Sequence, residues 1–412
     1  MTDTGLFTMT VVLSADNQTG GGYHQAFTSL RMLLSHRPPD VRILVLDARG
    51  TFGKGLKELV DQGLLAPEDI QSVPRRFPKF RDRVVVEKGF WFGFLRWLLS
   101  LRGITVGGSA LARFLDLSET DLVYFVTPSL AAKDLQIKPY IWTLWDLCHL
   151  DSPEFPEVRT SGKFEARDTA TALCLRKAAL VVIDSDDLAV NARASYGITA
   201  EKFVRIPFAP SGSISHDSAD SSLPKEIESL AGNFIFYPAQ LWTHKNHRRI
   251  VEAIALLRDR NQEVHAVFVG KDHGGEGALR RAIHNLRVSD RVHLLGYVDD
   301  TIMLALYRAS LGLVMASYFG PTNIPPLEAM ALGVPVVASH QHREQLGDAA
   351  LYFDPDNARE LAAAIETLVS QSASETLVQK GQNRLLEIAD ERELGYEDLS
   401  GRISNLAKRL KL

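Results

Sequence analysis

Twice along this chain, short apolar runs alternate with stretches of helical periodicity, and one long polar segment separates the two series. The first series places strands at 10–15, 41–47, 84–87, 122–126, 140–144 and 180–184. The second places them at 234–237, 266–270, 292–295, 311–315, 334–338 and 351–353. Strand and helix in strict succession predict a parallel sheet covered on both faces. The break at 209–224, rich in Ser, Asp and Pro, reads as an interdomain linker. A chain of 412 residues is too long for one ordinary core, so each series is expected to fold as its own doubly wound domain. The boundaries read from the sequence are 1–212 and 213–385, with a charged helical tail over 386–412 that can pack back on the first domain. In open sheets of this kind ligands sit at the carboxyl ends of strands, so two facing domains predict a ligand in the cleft between them.

Composition removes several classes. Hydrophobic residues at 45% and charged residues at 23% exclude a disordered or fibrous chain. A formal net charge of -4 gives no basic excess, and nucleic acid is not an expected partner. Cys148 and Cys174 can form neither a disulfide framework nor a zinc-site spacing, which fits a reducing cytoplasm. The first residues lack the basic region and cleavage site of a signal peptide. The most apolar stretch, 89–101, is too short to span a bilayer and is interrupted by Arg96. With Phe90, Trp91 and Trp97 between Lys88 and Arg102, residues 88–102 read preferably as core. The alternative is an interfacial helix making peripheral contact with the inner face of a membrane.

Four stretches carry residue types suited to chemistry. Around 316–339, Asn323 suits a helix N-cap, Pro325 and Pro326 suit the first turn, and Gly333 suits the left-handed position after the last. Such a helix start, reached through Gly320 and Thr322, offers N–H groups at Asn323 and Ile324 to a diphosphate. Glu328 then lies where it can accept from ribose hydroxyls; the plainer reading is a helix-end charge. At 236–247 a strand gives way to a helix near Gln240, His244, Lys245 and His247. Lys245 suits a phosphate there, or is one more solvated lysine. In the first half Gly20, Gly21 and Gly22 allow close backbone approach to an anion, or form an ordinary turn. Asp146 and His149 follow the strand at 140–144, His149 serving either function or structure.

Taken together these stretches resemble the donor-binding half of family 4 glycosyltransferases. The resemblance rests on IPPLEAMA at 324–331 and GVPVVA at 333–338, with Gly296 and Tyr297 matching a loop near the nucleotide base. It is strong over about 234–356 and weaker in the first half, where the glycine loop, 145–149 and 181–185 carry it. The chain departs from the family pattern at three places: the first of two paired glutamates falls at Gly320, a phosphate-binding arginine at Gln240, and the histidine of a His–Asp pair at Trp145. The form FGPTNIPPLEA at 319–329 resembles a subgroup of polysaccharide-assembly transferases.

The resemblance implies a GT-B fold, two Rossmann-like domains facing a cleft. It also implies a retaining hexosyltransferase that needs no metal and no cofactor beyond its nucleotide-sugar donor, with GDP-mannose favoured by the subgroup. The implied acceptor is a glycan or lipid-linked glycan in surface polysaccharide biosynthesis. Lys245, the helix start at Thr322 to Ile324 and the amides of Gly21 and Gly22 would meet the charge on the leaving diphosphate. Glu328 would hold the ribose, and Asp146 and His149 would serve the acceptor side. A nucleotide-sugar epimerase on the same architecture and a non-catalytic sugar-nucleotide binder stay open at this point.

Overall fold

The computed structural model describes residues 6–14, 21–73, 109–211, 222–320 and 323–411. Two parallel sheets organise it. The first has seven strands, β1 (Phe7–Leu13), β2 (Val41–Asp47), β3 (Ile70–Ser72), β4 (Leu122–Phe125), β5 (Tyr140–Thr143), β6 (Leu180–Ile183) and β7 (Phe203–Arg205), in the order β3-β2-β1-β4-β5-β6-β7. The second has six, β8 (Phe234–Pro238), β9 (His265–Val269), β10 (Val292–Gly296), β11 (Gly312–Met315), β12 (Val336–Ser339) and β13 (Ala350–Phe353), in the order β10-β9-β8-β11-β12-β13. The strand expected at 84–87 and the apolar stretch 88–102 lie outside the described residues, as do Gly20 and Thr322.

Strands such as Leu180–Ile183 and Val336–Ser339 are buried at every position, which is why they appear in the sequence as unbroken apolar runs and not as alternations. Alternate side chains of β1 feed two cores. Met9, Val11 and Leu13 pack on one face of the first sheet, while Val12 joins Phe125, Trp142 and Leu175 on the other. The second domain has its own core around Phe236, Val267, Leu313 and Val337.

One helix joins the two domains. It starts at Gln371, upstream of the tail boundary expected at 386, and runs unbroken to Leu410. Leu377 and Ile388 belong to the second core, whereas Tyr396, Leu399, Ile403 and Ala407 belong to the first. Gly395 permits the crossing: a Cβ there would stand 2.5 Å from the Arg205 carbonyl oxygen on β7. Arg392 fixes the same helix to the chain crossover by donating to the Pro207 carbonyl.

In each sheet the strand order reverses at one place, between β1 and β4 in the first and between β8 and β11 in the second. At such a switch point the loops leaving adjacent strands diverge to opposite faces and open a crevice at the carboxyl ends. The glycine loop follows β1, Lys245 follows β8, and the segment from Ser317 to Ile324 follows β11. The two crevices therefore select three of the stretches singled out above, while Asp146 and His149 follow β5 in the first sheet.

Candidate active site

Lys245 ends a short 3-10 turn, Thr243–Lys245, whose exit residue Asn246 takes a left-handed φ of 57° before the next helix begins at His247. The buried Tyr237 hydroxyl donates to the Lys245 carbonyl at 2.9 Å and fixes this turn to β8. The ammonium points across the crevice, 3.4 Å from Asn323 Oδ1 and 3.5 Å from Ser317 Oγ. Burial draws its pKa down from 10.5 to about 8, against the opposing pull of Asp146 and Cys148. Those two residues belong to the first domain, so the cleft brings Asp146 and Lys245 into one electrostatic site.

The helix Ile324–Ala331 starts as the sequence predicts, with prolines in its first turn. Its donor supply is smaller than expected. Asn323 occupies the N-cap position but makes no side-chain cap. Its Nδ2 donates to the Gly320 carbonyl at 2.6 Å, and its N–H donates to Gln345 Oε1 at 2.9 Å. Pro325 and Pro326 have no N–H at all, which leaves Ile324 as the donor among the first three helical positions. Gln345, which the sequence reading missed, also donates to the Asn323 carbonyl at 2.7 Å and clamps the helix start from both sides.

Across the cleft the helix Gly21–Ser35 begins against this one. A Cβ on Gly21 would lie 2.9 Å from Ile324 Cδ1, so the two helix starts touch. Gly22 lies under Trp145, whose ring atoms would be 3.5 Å from a Cβ there. Trp145 therefore forms a wall of the cleft where the resemblance puts a histidine. Gly320 has φ of 85°, a left-handed conformation that a glutamate would adopt only under strain. The missing side chain and the local backbone agree.

Glu328 sits one turn into its helix, half-buried, with both oxygens engaged. Oε1 accepts from the Ser211 hydroxyl and Oε2 from the Tyr307 hydroxyl, the latter at 2.8 Å. Burial raises its pKa above the ordinary glutamate value, while these two donors and the charge of His24 restrain the rise. A ribose reaching Glu328 would share it with Ser211, a residue of the crossover between domains.

On the first-domain side Asp146 Oδ1 accepts from the Cys148 N–H at 2.9 Å and from Arg167 Nη2 at 2.6 Å. His149 does not face the cleft. Its side chain is 0% exposed, with Nε2 3.1 Å from the Tyr196 hydroxyl, which in turn donates to Asp168 at 2.8 Å. Burial, and after it the charge of Arg167, lower its pKa. His149 thus lies buried within the short helix Cys148–Asp151, with its ring turned towards Tyr196.

Gln240 is exposed and accepts from Trp242 Nε1 at 2.9 Å. Tyr297 is 62% exposed, with Lys271 Nζ 5.2 Å from its ring centroid. A further contact joins the domains: Glu157 Oε1 accepts from the His244 N–H at 3.0 Å and lies 2.5 Å from His244 Nδ1. Phe155 packs beside it on Tyr318 and Phe319, with ring centroids 5.2 and 5.5 Å apart. Among the described residues no cluster of His, Cys, Asp and Glu is arranged to hold a metal ion, and no helix is long and apolar enough to cross a membrane.

The chain is similar to known proteins in sequence and in fold. Residues 221–385 match the family model for Glycosyl transferases group 1. O-antigen chain mannosyltransferase B of Escherichia coli is 24% identical over 261 residues, which span 62% of this chain and 67% of that protein. O-antigen chain mannosyltransferase RfbU of Salmonella typhimurium is 27% identical over 138 residues, 33% of this chain and 38% of its own length. The crystal structure of Anabaena HepE in complex with UDP and glucose superposes with a TM-score of 0.63 at 19% identity, covering 96% of this chain and 99% of that one. Sucrose-phosphate synthase from Thermosynechococcus elongatus gives a TM-score of 0.63 at 16% identity, covering 98% and 99%. The chain thus has the GT-B fold, and its C-terminal half carries the sequence pattern of the group 1 glycosyl transferases.

Proposed function

We propose that this chain is a retaining hexosyltransferase, with mannose as the transferred sugar, working from a nucleotide-diphosphate donor on a glycan or lipid-linked glycan at the cytoplasmic face of a membrane. One observation carries the reading. The Lys245 ammonium and the start of the Ile324 helix share the switch-point crevice of the second sheet, and the Gly21 helix start and Asp146 close it from the first. In transfer, the bond from the anomeric carbon to the diphosphate oxygen breaks, a bond to the acceptor oxygen forms, and the acceptor hydroxyl's proton passes to the departing diphosphate. Negative charge gathers on the departing diphosphate, and donors already aimed at it lower the barrier. Lys245, the Ile324 N–H and the amides of Gly21 and Gly22 take that role. Glu328 holds the ribose, and Asp146 faces the acceptor. Support for mannose and for surface polysaccharide comes from the two O-antigen mannosyltransferases that share sequence with the chain.

The test is a thermal-shift screen over GDP-, UDP- and dTDP-hexoses, since a bound donor stabilises the fold by mass action. Transfer assays with the stabilising donor follow. Lys245→Ala and Glu328→Ala are each expected to cut transfer roughly a hundredfold or more while leaving the protein folded. Near-normal transfer in both variants would overturn the assignment, and so would donor turnover that needs no acceptor.

A further inference from the structure

Asp146 is held chiefly through Oδ1, which accepts from the Cys148 N–H and from Arg167 Nη2, and the Cys148 thiol bonds the same carboxylate. Arg167 stands on a different element, the helix Lys163–Lys177, and its second arm donates through Nη1 to Cys148 Sγ at 3.0 Å. A planar fork that grips a carboxylate oxygen and the neighbouring sulfur together fixes the torsion of the carboxylate, which a flexible point charge would not do. Neither side chain is sealed off: they are 36% and 30% exposed.

We propose that Arg167 is a positioning residue of the transfer site: it pins Oδ1 of Asp146 against Cys148, so that an ionised Oδ2 is presented to a sugar hydroxyl beside Lys245. The inference rests on the transferase reading above. The groups that act on Asp146 come from three elements: Arg167 from its helix, Cys148, His149 and Asp151 from the helix Cys148–Asp151, and Lys245 and His244 from the turn after β8. Burial pushes the Asp146 carboxyl up, and the Arg167 charge with the Cys148 and Arg167 hydrogen bonds outweighs it, holding the group below the usual carboxylate range. Without Arg167 burial has the larger voice, and the carboxyl takes up its proton at higher pH.

Two readouts test this on full-length protein, in wild type, Arg167→Gln, Arg167→Lys and Asp146→Asn. The first is a carbon-13 carboxyl titration by NMR, with the Asp146 signal identified by its loss in Asp146→Asn. The second is the pH profile of kcat/KM. Arg167→Gln is expected to raise the Asp146 midpoint and the acid limb of the profile together, by about one pH unit or more. Its kcat should fall roughly tenfold or more with KM for the donor little changed. Arg167→Lys should return the midpoint towards wild type and leave kcat low, since it restores charge without the fork. A folded Arg167→Gln whose midpoint and acid limb coincide with wild type overturns the proposal, and so does full activity in Arg167→Lys. If Arg167→Gln fails to fold, Arg167→Lys decides alone by its kcat. Should wild type transfer no sugar, the function reading fails by itself, and the carboxyl titration still decides whether Arg167 keeps Asp146 ionised.

Discussion

Lys245 is the residue whose replacement separates function from stability most sharply. Its ammonium is held at a cost: burial takes the pKa from 10.5 to about 8 even with Asp146 and Cys148 pulling the other way. At ~1.4 kcal/mol for each tenfold change in proton affinity, that drop corresponds to ~3 kcal/mol against the charged form in the fold. Lys245→Met keeps the length and flexibility of the side chain and removes the charge. The variant is therefore expected to be more stable than wild type near neutral pH, by up to ~3 kcal/mol and on the order of 5 °C in Tm.

The pH dependence gives the prediction its sign. Below about 8 the lysine is charged in both folded and unfolded chains, and the folded chain bears the whole cost. Between about 8 and 10.5 the unfolded chain keeps the proton that the folded chain has released, so wild type gains stability as pH rises. The advantage of Lys245→Met should then be fullest at pH 7 and shrink towards pH 10. Melting curves of both proteins across that range supply the measurement, and the difference between them cancels titrating groups that Lys245 does not touch. A variant no more stable than wild type at pH 7, or an advantage that does not shrink on raising the pH, would refute the view that the fold spends stability to hold this cation. The same melts with donor added should show stabilisation of wild type and little of the variant.

Two other perturbations have definite outcomes. Gly320→Glu, which restores the side chain of the family pattern, is expected to lower stability by ~1 kcal/mol or more, because the residue must hold φ of 85°. It should not raise transfer, and a gain in activity would show that the loop relaxes to accept it. Acid should destabilise the fold at His244: burial and the charge of Lys245 lower its pKa from 6.5 to about 4 against the opposing pull of Glu157, so the unfolded chain takes up its proton first. Stability is then lost as pH falls from about 6.5 towards 4, and urea titrations of His244→Gln should show a shallower loss than wild type.

Much of the fold was legible because a parallel sheet with both faces covered has to be written as apolar runs separated by helices. The strands β3 and β7 escaped notice because each has three residues, too few for a pattern. The placement of Lys245 and the Ile324 helix followed from local signals, a strand end and a proline-marked first turn. What depended on distant partners did not follow. Asn323 has the residue type of an N-cap, yet Gly320 and Lys245 compete for its side chain and win. His149 follows a strand end like Asp146, but the chain turns it inward towards Tyr196. Arg167 did leave a trace. Phe164, Arg167, Thr171 and Cys174 recur at helical spacing, and the last two are buried, so an arginine on that stripe asks for a buried counter-charge.

The two prolines after Ile324 decide how the domains must share the work. A helix start normally offers several N–H groups to an anion, but here Pro325 and Pro326 remove two and Gln345 takes the Asn323 N–H. What the second domain keeps is charge: Lys245 and the positive end of a short helix dipole. The first domain supplies the complement, a helix that opens on Gly21 and Gly22, both with N–H groups and neither with a side chain to hold a ligand off. On the proposed reading, neither half grips a diphosphate well alone. Full binding energy then appears only when the Gly21 and Ile324 helix starts meet, so the closed cleft is itself a condition of catalysis.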